Sequence, residues 1–352
     1  MNAPATTLPP PPAPPRGTDL ALLYSSNIQG HATPCDCVRP LGGLARRATA
    51  ITRVRAEADG TLIVDAGDLF AGDESAERAR RLAAAVAVGG LDAFTPGERD
   101  LSLGVRALKQ LPVLSSNLTD RNGDRLFAGP RIFRVAGVAV GVFGVTAPAT
   151  PADAARWQAA GIQAAPADRA AREAIAWLHD QGAQVVVGLF HVGPPAAARR
   201  LVGGLAGLDW AVLGHSALNL ETPEATGGAR LLEAFAEGKN LGRLDLHVVG
   251  GSLAFADAGV RTELEAILAD HRRQLGDYDR SLGGMDPAAL EDYYRQRRVQ
   301  LQAAIARETA ALLHLPRAVT GSWFENHIIP LDAAVPDDPR VSGLVRRLGP
   351  HL

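Results

Sequence analysis

Apolar runs at Leu20–Tyr24, Leu62–Asp65, Ala93-Phe94, Val185–Phe190 and Trp210–Leu213 are too short for helices and read as buried strands. Each run stops at polar residues. The five junctions are Tyr24-Ser-Ser-Asn-Ile-Gln-Gly-His31, Asp65-Ala-Gly-Asp68, Gly97-Glu-Arg-Asp100, Phe190-His-Val-Gly193 and Gly214-His-Ser-Ala217. Helices are predicted over Leu44–Ala56, Ser75–Val88, Val105–Leu111, Ala167–Gln181 and Pro195–Leu205, the second closed by Gly89-Gly90. Further strands are predicted at Pro112–Ser115, Arg131–Val135, Val138–Val145, Arg230–Ala236 and Leu241–Val249, with Ala136-Gly137 as a hairpin turn. Helix and strand alternate early, and strands pair locally later. That mixture predicts an α/β fold over residues 18–258, with two sheets flanked by helices in a four-layer α/β/β/α sandwich.

The period changes after residue 258. Leu264, Leu268, His271, Leu275, Tyr278 and Leu282 recur at alternating steps of four and three, a heptad-like stripe that His271 interrupts. Gly283-Gly284 ends this helix, and Asp286-Pro287 supplies an N-cap and a first-position proline for a second, running to about Leu313. The short break predicts an antiparallel helical hairpin over residues 259–315. Its stripe serves either internal packing or a projecting arm for dimerisation or docking. Residues 316–352 are rich in Pro and Asp and are expected to form an irregular tail.

Composition narrows the function classes. The chain has 352 residues, a 47% apolar fraction and a net charge of -2, enough for a large core and no basis for nucleic-acid binding. No apolar run is long enough to span a membrane. Residues 1–17 are mostly Pro, Ala and Thr, which favours extended, disordered chain. They lack the basic and apolar regions of a secretory signal, so the chain is expected in the cytoplasm if residue 1 is its true start. The two cysteines, Cys35 and Cys37, rule out a disulfide framework, and their spacing is not expected to close a disulfide, because the ring would be small and strained. Together with His31 they could hold a soft metal, or they could be two free thiols in a loop.

Polar residues at strand ends are how an α/β fold assembles a site. Here they deliver Asp68, Glu98, His191 and His215, a donor set suited to one Zn, Mn or Fe ion. The same four residues could instead form a hydrogen-bonded cluster with no ion.

The order of the five junctions resembles the calcineurin-like metallophosphoesterases, in their 5'-nucleotidase branch. Gly42-Gly-Leu-Ala-Arg-Arg-Ala-Thr49, Pro112-Val-Leu-Ser-Ser-Asn-Leu118, Val138-Ala-Val-Gly-Val-Phe-Gly-Val-Thr-Ala-Pro148 and Gly238-Lys-Asn-Leu-Gly-Arg-Leu-Asp-Leu246 extend the resemblance from about Leu20 to Val249. The resemblance implies metal-dependent hydrolysis of a phosphate ester or nucleotide. It implies Asp68 as the carboxylate shared by two metals, with His191 and His215 as ligands. The first junction normally carries Asp-x-His, and here holds the amides Asn27 and Gln29. The third normally reads Gly-Asn-His-Glu, so Glu98 replaces a ligand Asn and Arg99 replaces the general-acid His. Ala217 stands where a further ligand is usual. One metal site is thereby depleted and the other kept, which implies a single divalent ion and weak activity. Asn27, Gln29, His31, Cys35 and Cys37 form a second group of candidate donors. Arg99 could grip phosphoryl oxygens alongside Asp68, or it could pair with Glu98 or Asp100 and fill the depleted site with its own charge.

The Pro-Cys-x-Cys loop, with Ile329-Pro-Leu-Asp and Asp337-Asp-Pro, is also similar to bacterial 5'-nucleotidase-like modules that precede multihaem cytochrome segments, although this chain has no Cys-x-x-Cys-His. That likeness implies a periplasmic setting. It also keeps open a non-catalytic metal-binding or docking module of a redox-linked envelope system, or a thiol-based metal carrier. The long substrate domain of full 5'-nucleotidases has no counterpart here, and the helical hairpin takes its place.

Overall fold

The computed structural model describes residues 17–249, 254–282, 292–315 and 321–348. The predicted helix break at Gly283-Gly284, the cap at Asp286-Pro287 and the Pro-rich start lie outside these residues. In chain order the elements are β1 (Thr18–Ser25), α1 (Leu44–Glu57), β2 (Gly60–Asp65), α2 (Ala76–Gly89), β3 (Ala93–Phe94), α3 (Glu98–Ser102), β4 (Leu118–Thr119), β5 (Arg131–Val135), β6 (Val138–Thr146), α4 (Pro151–Ala159), β7 (Gln163–Ala164) and α5 (Ala167–Asp180). There follow β8 (Val185–His191), α6 (Pro195–Gly203), β9 (Trp210–Leu213), β10 (Glu224–Thr226), β11 (Ala229–Leu232), β12 (Asn240–Val248), β13 (Ala256–Asp257), α7 (Gly259–Leu282), α8 (Asp292–His314), β14 (Trp323–Pro330) and α9 (Pro339–Val345).

Two sheets organise the strands, in the orders β13-β14-β12-β1-β2-β3 and β10-β11-β9-β8-β6-β5. β1, β2 and β3 are parallel, as are β6, β8 and β9, because each connection returns through helix or loop to the same end. Every residue of β6 and β8 is buried, as expected of strands covered on both faces. Alternation sorts their side chains. Phe143, Val145, Val186 and Phe190 pack with Ala171, Ala174, Ile175 and Leu178 of α5. On the first sheet, Ala21, Leu23 and Ile63 pack with Ala50, Ile51 and Val54 of α1.

The sheets come together closely near their carboxyl ends. Thr146 Oγ1 donates to the Pro96 carbonyl at 2.7 Å. A Cβ on Gly144 would lie 1.7 Å from Thr95 Oγ1 and 2.7 Å from the Leu114 carbonyl oxygen.

Several expectations need correction. The tail expected to be irregular supplies β14 and α9. Pro339 opens α9 behind Asp338, whose carboxylate accepts from the Arg340 and Val341 N–H groups, a start signal masked by the Pro- and Asp-rich composition. Pro112–Ser115 makes only isolated bridges, Phe94 to Val113 and Leu114 to Ala128. Val105–Leu111 shortens to a 3₁₀ turn at Val105–Leu108. The unpredicted α4 starts at a capping box in which Thr150 and Asp153 satisfy each other's backbone N–H groups.

The chain divides into a larger unit, Thr18–Leu246 with Asn326–Leu352, and a smaller one around His247–Glu325. Within the smaller unit, α7 and α8 run antiparallel. Asp279 pairs with Arg298 and His271 with Glu308, while Arg261 donates to the Leu312 and Leu315 carbonyls. The residue that interrupts the stripe is therefore answered by a carboxylate. Among the described residues no helix is long and apolar enough to cross a membrane.

The contact at Gly144 yields a test of the sheet packing. Gly144→Ala should cost about 1–3 kcal/mol through overpacking, read as a lower urea midpoint. An unchanged midpoint would mean that the sheets are not this close.

Candidate metal centre

Parallel strands of both sheets end on one side of the sandwich, in the registers Ser25 to Asp65, Asp65 to Phe94, Thr146 to His191 and Phe190 to Leu213. The residues that follow carry the chemistry. Asn27, Asp68 and His215, and Gln29 beside them, have positive φ values of 53–69°. Left-handed backbone at non-glycine residues is costly and concentrates at functional loops.

His191 has no exposed surface. Its Nδ1 lies 2.7 Å from the Ala66 carbonyl oxygen, which turns Nε2 toward the carboxylates. Nε2 is 2.8 Å from Glu98 Oε2 and 3.6 Å from Asp68 Oδ1. The other Glu98 oxygen, Oε1, is 2.6 Å from His215 Nδ1. Donor atoms of Glu98, His191 and His215 all fall within 4.8 Å of one another. Glu98 Oε2 and His191 Nε2 are both shut off from water and face each other at that 2.8 Å contact. A buried nitrogen and a buried carboxylate oxygen facing each other, in a set of two imidazoles and a carboxylate, fit a divalent transition ion.

The loops close around His191 because three of their residues are glycine. A Cβ at Gly67, Gly97 or Gly214 would lie 2.9, 2.6 or 2.5 Å from its ring. Asp100, fully buried, ties two of these loops together. Its carboxylate accepts from Gly97 N and Asp68 N at 2.8 Å and from Phe70 N at 3.0 Å. Burial, with the Asp68 charge, pushes its carboxyl well above the ordinary carboxylate range.

Arg99 pairs with neither Glu98 nor Asp100, the partners that one of its two sequence readings gave it. Its Nε lies 3.4 Å from Asp68 Oδ2, its backbone N–H donates to Asp68 Oδ1 at 3.0 Å, and Nη1 donates to the Ala71 carbonyl. Asp100 is sealed beneath the loop, out of that role. Asn27 is engaged elsewhere too. Its Oδ1 accepts from His215 N at 2.9 Å and its Nδ2 donates to the Ser216 carbonyl. Its amide thus clamps the fifth junction to the first. The Gln29 N–H donates to the Asp68 carbonyl at 2.8 Å. Ala217 is exposed.

His31 lies where its charge acts on Glu237. Cys35 and Cys37 are joined as a disulfide, so neither offers the thiolate that a soft-metal site requires. The pairing that the sequence disfavours, as a small strained ring, is the one formed.

Supporting residues were less visible in the sequence. Glu233 accepts from Ser216 Oγ at 2.6 Å and from Leu218 N at 3.1 Å, and burial pushes it up to about 7. Ser25 Oγ donates to Asp65 at 2.6 Å, and Arg47 Nη2 reaches Ser25 Oγ. A polar residue closing an apolar strand, as in Leu231-Leu-Glu233, was the available signal.

Burial alone would lower the His191 imidazolium. The Asp68 charge, the hydrogen bond and charge of Glu98 and the Ala66 carbonyl outweigh it and push the group up to about 10 from 6.5. Burial alone would raise Glu98, but hydrogen bonds from His191 and His215 and their charge hold it well below the usual range. In metal-free protein, the raised His191 contributes stability that is complete below about pH 6.5 and is lost as pH rises through about 10. Urea midpoints of chelator-treated protein should therefore fall across that window, and His191→Gln should flatten the slope. Equal slopes in the two proteins would remove His191 as its source.

No family profile matches the sequence. The chain is 29% identical to mouse (Mus musculus) 5'-nucleotidase over 155 residues, covering 38% of this chain and 27% of that protein. Among solved structures, sulfate thiohydrolase SoxB from Thermus thermophilus superposes with a TM-score of 0.65 at 19% identity, covering 96% of this chain and 61% of that one. A 5'-nucleotidase precursor from Thermus thermophilus gives 0.59 at 18% identity, with 94% and 58% coverage. The calcineurin-like phosphoesterase YfkN from Bacillus subtilis gives 0.60 at 16% identity, with 95% and 97% coverage. The chain thus spans less than two thirds of the mouse and Thermus proteins. Two sheets between helices, with polar loops gathered at the carboxyl ends of their parallel strands, give this chain the calcineurin-like phosphoesterase fold found in 5'-nucleotidases.

Proposed function

We propose that this protein is a metal-dependent phosphoric ester hydrolase of low turnover, using one divalent ion of Zn, Mn or Fe. The reading rests on the meeting of Glu98, His191 and His215 beside Asp68, with Glu98 Oε2 and His191 Nε2 facing each other out of contact with water. These three residues would hold the ion. A bound divalent ion supplies Lewis-acid polarisation of the phosphoryl oxygens.

The rest of the site supports one ion rather than two. The Asn27 amide is committed to the backbone of His215 and Ser216. The Arg99 guanidinium brings a positive charge to Asp68, where a second cation would sit. Ala217 offers no donor. Arg99 keeps Nη2 without a partner among the described residues, so it can donate to a phosphoryl oxygen while Asp68 orients it. Loss of a preorganised group at a developing oxyanion typically costs about 10²–10³ in rate, and several positions differ here. Slow turnover is the expected outcome. The likeness to 5'-nucleotidases makes a nucleotide monophosphate the first substrate to try.

Hydrolysis of p-nitrophenyl phosphate and AMP should be slow, should require added Mn or Zn, and should disappear in Glu98→Gln and His191→Gln. Arg99→Ala should raise KM more than it lowers kcat. Turnover that survives Glu98→Gln, or none with any of the three metals, would contradict the reading.

A further inference from the structure

Away from these loops, a cleft of about 470 Å³ opens between the segment 116–130 and α5. Its size is that of a small-molecule site. Trp177 stands on its α5 side with 44% of its surface exposed, whereas the large apolar residues Ile175 and Leu178 of α5 are buried in the core. Ala170, Ala174 and Trp177 fall at steps of four and three, on one face of the helix. The two alanines leave space beside the indole.

The polar residues of the cleft are unevenly matched. Glu173 is paired with Arg169 at 2.8 Å. Arg125 makes no ion pair among the described residues. Its guanidinium lies across Gly129, where a Cβ would come within 2.6 Å of Nη1. The cleft therefore combines a flat aromatic wall with one unpaired cation.

We infer that this cleft is a second binding site, for a flat aromatic ring bearing one anionic group. The ring stacks on Trp177 and the anion pairs with Arg125. A nucleotide and a simple aryl acid both have that chemistry. The site shares no residue with the candidate metal centre, so it stands or falls separately from the hydrolase reading.

The test is calorimetric titration of the full, metal-stripped chain with 2-naphthoate. Trp177→Ala and Arg125→Gln are suitable variants because both side chains are exposed. Saturable binding that weakens at least tenfold in each variant is expected. Displacement of the naphthoate by AMP identifies a nucleotide as the source of the chemistry, and failure to displace it identifies an aryl acid; either supports the site. No saturable binding of 2-naphthoate, or binding that either variant leaves unchanged, overturns the inference.

Discussion

A histidine with no exposed surface must satisfy both ring nitrogens from within the protein. His191, the last residue of a fully buried strand in one sheet, does so across the sandwich. Nδ1 meets a carbonyl that follows β2, and Nε2 meets carboxylates from the loops after β2 and β3. That requirement fixes how near the sheets come and which loop positions can carry a side chain. Glycine at positions 67, 97 and 214 admits the ring, and Asp100 beneath holds two of the loops by their N–H groups. Packing and chemistry are therefore the same problem here. The groups that lock the sheets together are those that converge on the candidate centre.

The charge balance follows from this burial. Asp68, which is buried, and Glu98, which is half-buried, need cations nearby to stay ionised. In metal-free protein a proton on His191 and the Arg99 guanidinium supply them. A divalent ion would compete with that proton, since metal binding to imidazole and carboxylate releases protons. Arg99 and Asn27 act differently. They occupy the neighbouring positions with a fixed charge and a hydrogen-bonded clamp, so those loops are held without any ion.

Much of the fold was legible because buried parallel strands leave a strong sequence trace. Val138–Val145 and Val185–Phe190 read as strands from their unbroken apolar runs, and the polar residues after them had to lie at strand ends. The convergence of Glu98, His191 and His215 follows from topology once the strands are parallel. What the sequence hid was partner choice. Asp100 adjoins Arg99 and looked like its counter-ion, yet helical geometry turns its carboxylate inward to backbone N–H groups. Asn27 looked like a weakened ligand, and its amide is consumed by the fifth junction. Cys35 and Cys37 looked too close to pair. β14 and α9 were lost in a composition typical of loops, because the strand's pairing partner β12 lies some eighty residues earlier. Such long-range choices leave no local periodicity.

Metal stoichiometry tests the central claim most directly. Purified protein, equilibrated with Zn or Mn and then desalted, should carry one ion per chain by elemental analysis. His191→Gln should carry none, while Asn27→Ala should retain the ion. Two ions per chain would contradict the account, as would none in the wild type or a full complement in His191→Gln.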